Sequence, residues 1–424
     1  PVPEDGEYVL AISDALFRGR EDFVYRISIA ESPFITSIFP LGARLGESAA
    51  VQMKGWNLEG TKIALPPKDA QPGVHYVAAA KGDVLSNRVP FALDTLPECI
   101  EQEPNNDRSK AQKAPLPMIV NGRIDRPGDW DVFQIEGRAG EKIVAEVTAR
   151  RLDSPVDSLL KLTDANGNVL AINDDHEDPG AGLNTYHADS YIMFELPADG
   201  TYYVHLGETT NKGGEEYGYR LRLSTAMPDF ALRAVPSAVS MRSASSASVR
   251  LFVIPKDGFS GDIQLRLKDP PAGFSASTAV LKAGQESTAL GLKTTLKDSR
   301  EPLPLKIEGR AKLGEQEIVR QAVPAEDRMQ AFLWRHLAPA GELVVRVYDP
   351  NYRPPRTRIP PPLPPEMKEA AIKAAKKAAQ EGGKPKFTKA QVAGRLRMLD
   401  YLYENWLLTD SFYHARVAEC EAVE

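Results

Sequence analysis

Apolar residues recur at every second position through most of the chain, in short runs broken by Gly, Pro, Asp and Asn. In the run ASVRLFV, Val249, Leu251 and Val253 face one way while Arg250 and Phe252 face the other. Such alternation predicts half-buried strands, because successive side chains leave opposite faces of a sheet. Many strands of this kind, separated by turn residues, predict a mainly β protein built of tandem β-sandwich domains. The period changes near the C-terminus. Residues 350–366 form a proline-rich stretch, which reads as a stiff, extended linker. Beyond it, 366–383 reads as a charged, alanine-rich helix ended by glycines. In the following segment Val392, Leu396, Leu399 and Tyr403 share one helical face, and Thr388 with Gln391 has the spacing of a capping box. Thr409 and Asp410 begin a further helix, giving a C-terminal helical hairpin within 367–424.

The alternation also repeats itself. Residues 3–29 align without a gap on residues 197–223. Pro3, Asp5, Gly6 and Tyr8 match Pro197, Asp199, Gly200 and Tyr202, while Gly19, Tyr25 and Arg26 match Gly213, Tyr219 and Arg220. Each copy reads as a tight Asp-Gly turn, a half-buried strand, a glycine-containing loop and a second strand. The first ten residues, PVPEDGEYVL, therefore read as the end of a domain rather than its beginning.

Composition narrows the field. At 424 residues the chain is long enough for several domains, and its net charge of −6 argues against a nucleic-acid binder. No apolar run reaches the length of a transmembrane helix. Two distant cysteines, Cys99 and Cys420, make neither a disulfide framework nor a metal knuckle.

The second copy of the repeat closes a longer series of motifs: ECIEQEPNNDRSKAQKAP, GRIDRPGDWDVF and LPADGTYYV. In this order they resemble the bacterial pre-peptidase C-terminal (PPC) domain. That resemblance implies a jelly-roll-like sandwich of secreted bacterial proteins over 97–226. Several relatives are binding or stability modules beside a protease, collagen-binding modules of clostridial collagenases among them. Residues 1–30 then become the terminal hairpin of a truncated PPC-like domain. Residues 31–96, with SPFITSIFPLGARLGE and GWNLEG, resemble an IPT/TIG immunoglobulin-like domain. The strand spacing of 227–349 predicts an Ig-like sandwich, with extra strands from AFLWRHLAPAGELVVRVYDP. The segment LYENWLLTDSFY resembles a short SHOCT-type C-terminal motif, which implies oligomerisation. The order of modules resembles large secreted and envelope proteins of planctomycete-type bacteria.

The sharpest candidate chemistry is acidic. Glu101, Glu103, Asn105, Asn106 and Asp107 bring many oxygens into seven residues, and Asp125, Asp129 and Asp131 follow. Calcium takes six to eight oxygen ligands from such groups. The residues alone leave two readings open, a cation site or a solvated turn with DWD capping a strand. The resemblance implies calcium: Glu101, Glu103 and Asn106 match the family's ligand segment, Asn106 standing where Asp is usual. Asp129 and Asp131 match its later D-x-D. The second acidic run, Asn173 to Asp178, lacks EF-hand spacing and reads as a solvated loop.

Six histidines show no zinc spacing, and no nucleophile elbow or phosphate loop occurs. The expectation is a non-catalytic secreted, periplasmic or cell-surface protein for attachment or assembly. Its partner would be a protein or polysaccharide surface, with the C-terminal helices serving oligomerisation and no nucleic acid bound. The alternatives are the accessory part of a secreted hydrolase or peptidase, or a structural subunit of a larger complex.

Overall fold

In the computed structural model the alternation becomes burial. Within the Ser246–Lys256 strand, Val249 and Leu251 are fully buried and Arg250 is exposed. Phe252, on the opposite face, is also buried, because it packs with Ala325 and Leu337 in a small separate cluster. The structure describes residues 4–15, 24–178, 187–329, 335–351, 358–381 and 387–422. They fall into two compact units, Pro1–Tyr348 and Asp349–Glu424.

The larger unit holds three layered β bodies. In the first, Phe34–Phe39 pairs with Gln52–Trp56, facing a sheet built on Val89–Asp94 and Gly73–Lys81. Ile35, Ile38, Leu41 and Phe91 fill the space between them. The second body has two five-stranded sheets. One runs Tyr191–Glu195, Lys142–Thr148, Gly218–Thr225, Met118–Arg123, Glu98–Ile100. The other runs Val169–Asn173, Ser158–Asp164, Gly200–Glu208, Trp130–Gly137, Gln112–Lys113. Val120, Phe133, Ile135, Val204, Tyr219 and Leu221 lie between the sheets, all essentially inaccessible. The third body packs a sheet centred on Asp229–Val235 and Ser246–Lys256 against one centred on Leu303–Leu313. Arg335–Pro339 and Leu343–Tyr348 each pair into one of its sheets.

The hairpin expected over residues 1–30 forms no strand ladder among its described residues, 4–15 and 24–30. Its apolar side chains Leu10, Tyr25 and Ile29 are 63%, 74% and 84% exposed. A two-stranded ribbon with no third strand to cover its face is marginal in water, which accounts for the absence of pairing.

The bodies of the large unit are tied at their junctions. Between the first and second, the Arg123 guanidinium lies 3.8 Å over the Phe39 ring, and Leu152 enters the first core. Between the second and third, Arg222 pairs with Glu146 at 2.7 Å and with Asp257 at 2.8 Å. Tyr191 Oη donates to Asp257, and the Met227 amide of the connecting segment does the same. Burial alone would raise the Glu146 carboxyl, but the guanidinium groups of Arg222 and Arg151 outweigh it and hold it down to about 2.

In the smaller unit, α1 (Pro365–Gln380), α2 (Lys389–Glu404) and α3 (Asp410–Glu421) pack around Leu399, Tyr403, Tyr413, Val417 and Cys420. The Thr388–Gln391 capping box forms, and Thr409 caps α3. Pro365 opens α1, where its missing N–H costs nothing. Arg358 lies 3.6 Å over the Tyr403 ring and donates to the Leu408 carbonyl, so the proline-rich segment is anchored on the helices. Burial pushes the Cys420 thiol up, and burial with nearby Glu98 and Glu101 does so for Cys99, which leaves both weakly nucleophilic. No helix among the described residues is long and apolar enough to cross a membrane.

Two outcomes are expected at the Arg222 junction. Asp257→Ala leaves part of a partly buried guanidinium unpaired and should lower stability by about 2 kcal/mol in urea unfolding; a loss under about 0.5 kcal/mol, the range of ordinary surface changes, would show the pair to be idle. A carboxyl held down in the folded state contributes stability above its ordinary value of 4.5 that is lost as pH falls toward about 2. Acid titration of Glu146→Gln should therefore lack part of the wild-type loss in that window.

Candidate metal centre

The acidic residues converge because two short parallel pairings bring the leading segment of the second body beside its central strands. Glu98–Ile100 runs parallel to Met118–Arg123, and the Glu101 amide donates to the Asn121 carbonyl at 3.0 Å. Three donors then meet the Glu101 carboxylate. Tyr219 Oη (2.8 Å) and Asn105 Nδ2 (2.9 Å) reach Oε1, and the Arg123 amide (2.8 Å) reaches Oε2. The approach is close enough to require a glycine. A Cβ on Gly122 would lie 2.3 Å from Tyr219 Oη and 2.5 Å from Glu101 Oε2.

Asp131 is the second residue of the Trp130–Gly137 strand and points into the sandwich, wholly buried. Neither of its carboxylate oxygens has a hydrogen-bond partner, and the same holds for Asn105 Oδ1. Burial and the neighbouring Glu101 raise the Asp131 carboxyl far above the usual range, and burial raises Glu101 as well. Strand alternation sends Trp130 the other way. Its indole lies on Gly207, whose Cβ would come 3.0 Å from the ring, with Lys161 Nζ 4.8 Å from its centre.

Two groups of carboxylates have ligand oxygens mutually within 4.8 Å: Glu101, Glu103 and Asp131, and Glu103, Asp125 and Asp129. Exposed Glu103 belongs to both and joins them. Asp129 is buried in a tight turn, its Oδ2 accepting from the Asp125 amide at 3.0 Å. Asn106 Nδ2 donates to Asp129 Oδ1 at 2.6 Å, so its amide nitrogen, not its oxygen, faces this group. Asp107 turns away and accepts from Ser109, which lowers its carboxyl. Of the residues expected from sequence, Glu101, Glu103 and Asp131 thus meet in one group, Glu103 and Asp129 meet in the other, and Asn106 supports Asp129. Asn105, named in the same oxygen-rich run, joins them, and Gly122 and Tyr219, which no spacing rule singles out, complete the arrangement. The Asn173–Asp178 run gathers no such group among the described residues.

This donor set is all oxygen and mostly anionic, with three buried oxygens lacking any donor. It fits a hard divalent cation, which prefers carboxylates and amide carbonyls, and does not suit a soft metal.

The fold and this cluster define a β-sandwich module with an acidic head. Residues 129–207 match the family model of the bacterial pre-peptidase C-terminal domain, and the chain carries that domain. A probable subtilase-type serine protease of Deinococcus radiodurans is 43% identical over 139 residues, which make up 31% of this chain and 18% of that protein. The chain thus spans less than a fifth of the length of that curated relative. Among solved structures, the pre-peptidase C-terminal domain of a Bacillus anthracis collagenase matches at 16% identity with a TM-score of 0.22, over 28% of this chain and 100% of that one. The fibronectin(III)-like modules of Clostridium thermocellum CbhA match at 8% identity and a TM-score of 0.15, over 47% of this chain and 93% of theirs.

Gly122→Ala tests the architecture of the cluster. Its Cβ would displace either Tyr219 or the Glu101 carboxylate, at an expected cost of about 1–3 kcal/mol in thermal or urea unfolding, as for other overpacked sites. Unchanged stability would mean that the strand relaxes without disturbing the cluster.

Proposed function

We propose that this chain is a non-catalytic, modular part of a secreted or cell-surface bacterial protein, whose PPC sandwich is locked by calcium. The observation that carries the reading is the Asp131 carboxylate, buried with neither oxygen hydrogen-bonded and grouped with Glu101 and Glu103. An ionised carboxylate left this way costs several kcal/mol, and a cation on the same oxygens removes the cost. Glu101, Glu103, Asp125, Asp129 and Asp131, with Asn105 Oδ1, would hold the ion. Calcium supplies charge there and no chemistry of its own. The chain's own residues do the rest: Tyr219, Asn105 and the Arg123 amide orient Glu101, and Asn106 orients Asp129. The segment so pinned follows the connection from the first body, so the ion would stiffen the joint between modules. Binding in the millimolar to sub-millimolar range is typical of extracellular modules and suits that setting.

The kinship with a subtilase-type protease favours a specific version of this reading, in which the modules accompany a hydrolase and position it. The chain itself would then cleave no protein substrate. Hydrolysis of casein by the purified chain would overturn the non-catalytic assignment.

Calcium at about 100 times its dissociation constant should stabilise the sandwich by about 2.7 kcal/mol, roughly a 10 °C rise in melting temperature for a domain of this size. Glu103→Ala should abolish the rise while leaving the calcium-free melting temperature unchanged. Asp131→Asn should raise the calcium-free melting temperature and also abolish the response. No response of the native chain to millimolar calcium would sink the proposal.

A further inference from the structure

The sheet that turns Asp131 inward presents a different set of side chains on its other face. Strand alternation sends Trp130, Lys161, Thr163, Tyr203 and His205 away from the core. Register sets their rows. Trp130 stands opposite Gly207, Lys161 opposite His205, and Thr163 opposite Tyr203. Tyr203 therefore lies four residues from the Trp130 row, about 13 Å along the strand. On the adjoining edge strand Ile172 and Val169 pair with Lys161 and Thr163, and they are 61% and 57% exposed.

Each of the two rings has a cation of its own. Lys161 Nζ lies 4.8 Å from the Trp130 ring centre, and the Arg108 guanidinium lies 6.0 Å from that of Tyr203. Arg108 is held there by donating to the Ala165 carbonyl at 3.0 Å. Among the described residues no carboxylate pairs with either cation. Lys113, opposite Gln134, adds a third positive charge beside them. Carboxylates on this face stand at the ends of the strip, Glu136 opposite Thr201 and Asp157 beside Thr209. Burial, with Lys161 and Arg108, holds His205 down to about 4, which leaves a neutral imidazole 3.0 Å from Thr163 Oγ1. A chain of net charge −6 thus carries a positively charged strip studded with aromatic rings.

We propose that this outward face binds an acidic polysaccharide, a linear polymer of pyranose rings bearing carboxylate or sulfate groups. Charge complementarity selects the acid, since the cations beside the rings have no protein counter-ion. The rings select the sugar, because a pyranose offers a flat C–H face to an aromatic ring and an acid at its edge to the neighbouring cation. An acidic peptide would satisfy the cations and leave the rings without a flat partner. Two ring-and-cation pairs spaced along one strip suit a linear chain better than a single small anion. The strip is separate from the acidic cluster, because Trp130 and Asp131 are neighbours that leave their strand on opposite faces. The inference therefore goes beyond the cation-locked module and does not depend on it.

Isothermal titration of the 424-residue chain with polygalacturonate, dextran sulfate, neutral dextran and polyglutamate tests this. At least one of the acidic polysaccharides should bind, equally in EDTA and in calcium, and more weakly as salt rises. Lys161→Gln and Arg108→Gln should each weaken that binding by about fivefold or more without moving the melting temperature. The same change at Lys293, exposed on the third body, should leave it unaltered. Absence of binding by both acidic polysaccharides would overturn the proposal. Equal binding of neutral dextran would remove the role of the cations, and equal binding of polyglutamate would make the occupant an acidic protein segment; either result overturns it. Binding seen only with calcium would place the polymer on the acidic cluster and overturn it as well.

Discussion

A buried carboxylate beside a half-buried one at the head of one sandwich sets the terms for what surrounds them. Glu101 and Asp131 come together because the Glu98–Ile100 strand runs parallel to Met118–Arg123, and Asp131 starts a central strand of the facing sheet. Their environments are unequal. Glu101 accepts three hydrogen bonds, from Tyr219, Asn105 and the Arg123 amide, whereas Asp131 accepts none. Burial of a charge in that state is costly enough that the group must take up either a proton or a cation. The segment from Glu101 to Asn106 supplies further oxygens to the same place, so its conformation and the state of the carboxylates are coupled.

The same sandwich holds a second, partly buried charge cluster at its other junction, and the contrast separates the proposed cation site from a staple. Arg222 there is shared between Glu146 and Asp257, Arg151 is shared between Glu146 and Asp189, and Tyr191 adds a donor. Positive and negative groups alternate, and Glu146 is held in its charged form. That network is complete without any addition. At Glu101 and Asp131 the grouped side chains are anionic, and the neighbouring Asp129 is paired with Arg126, a mostly exposed guanidinium 3.9 Å away. Completeness in one cluster and deficit in the other is the basis for proposing a cation at only one of them.

Much of the architecture was legible from period alone. Strand alternation marked out the β bodies, and the change to helical spacing with Thr388, Gln391 and Thr409 marked α2 and α3. The acidic run was visible as well, because oxygen ligands crowd into seven residues there. Asn105 and Asn106 could not be told apart in this way. Which of two neighbouring amides turns inward depends on the path of the turn, and it is Asn105 that is buried. Tyr219 was legible as a strand residue and not as a partner of Glu101, since the pairing of Gly218–Thr225 with Met118–Arg123 joins segments far apart in the chain.

Sequence by itself determined the elements, the acidic residues at the head of the PPC sandwich, and the likeness between residues 3–29 and 197–223. These are local properties, carried by side-chain period, turn chemistry and residue order. Only the tertiary structure decided which acids meet, which are left without donors, and which of the two repeated segments finds neighbours. Sheet order decides all three, because it brings distant strands within hydrogen-bonding reach. Residues 200–208 and 218–225 are flanked on both sides and bury their apolar faces, while the matching residues near the N-terminus, with no flanking strands, leave theirs open to water.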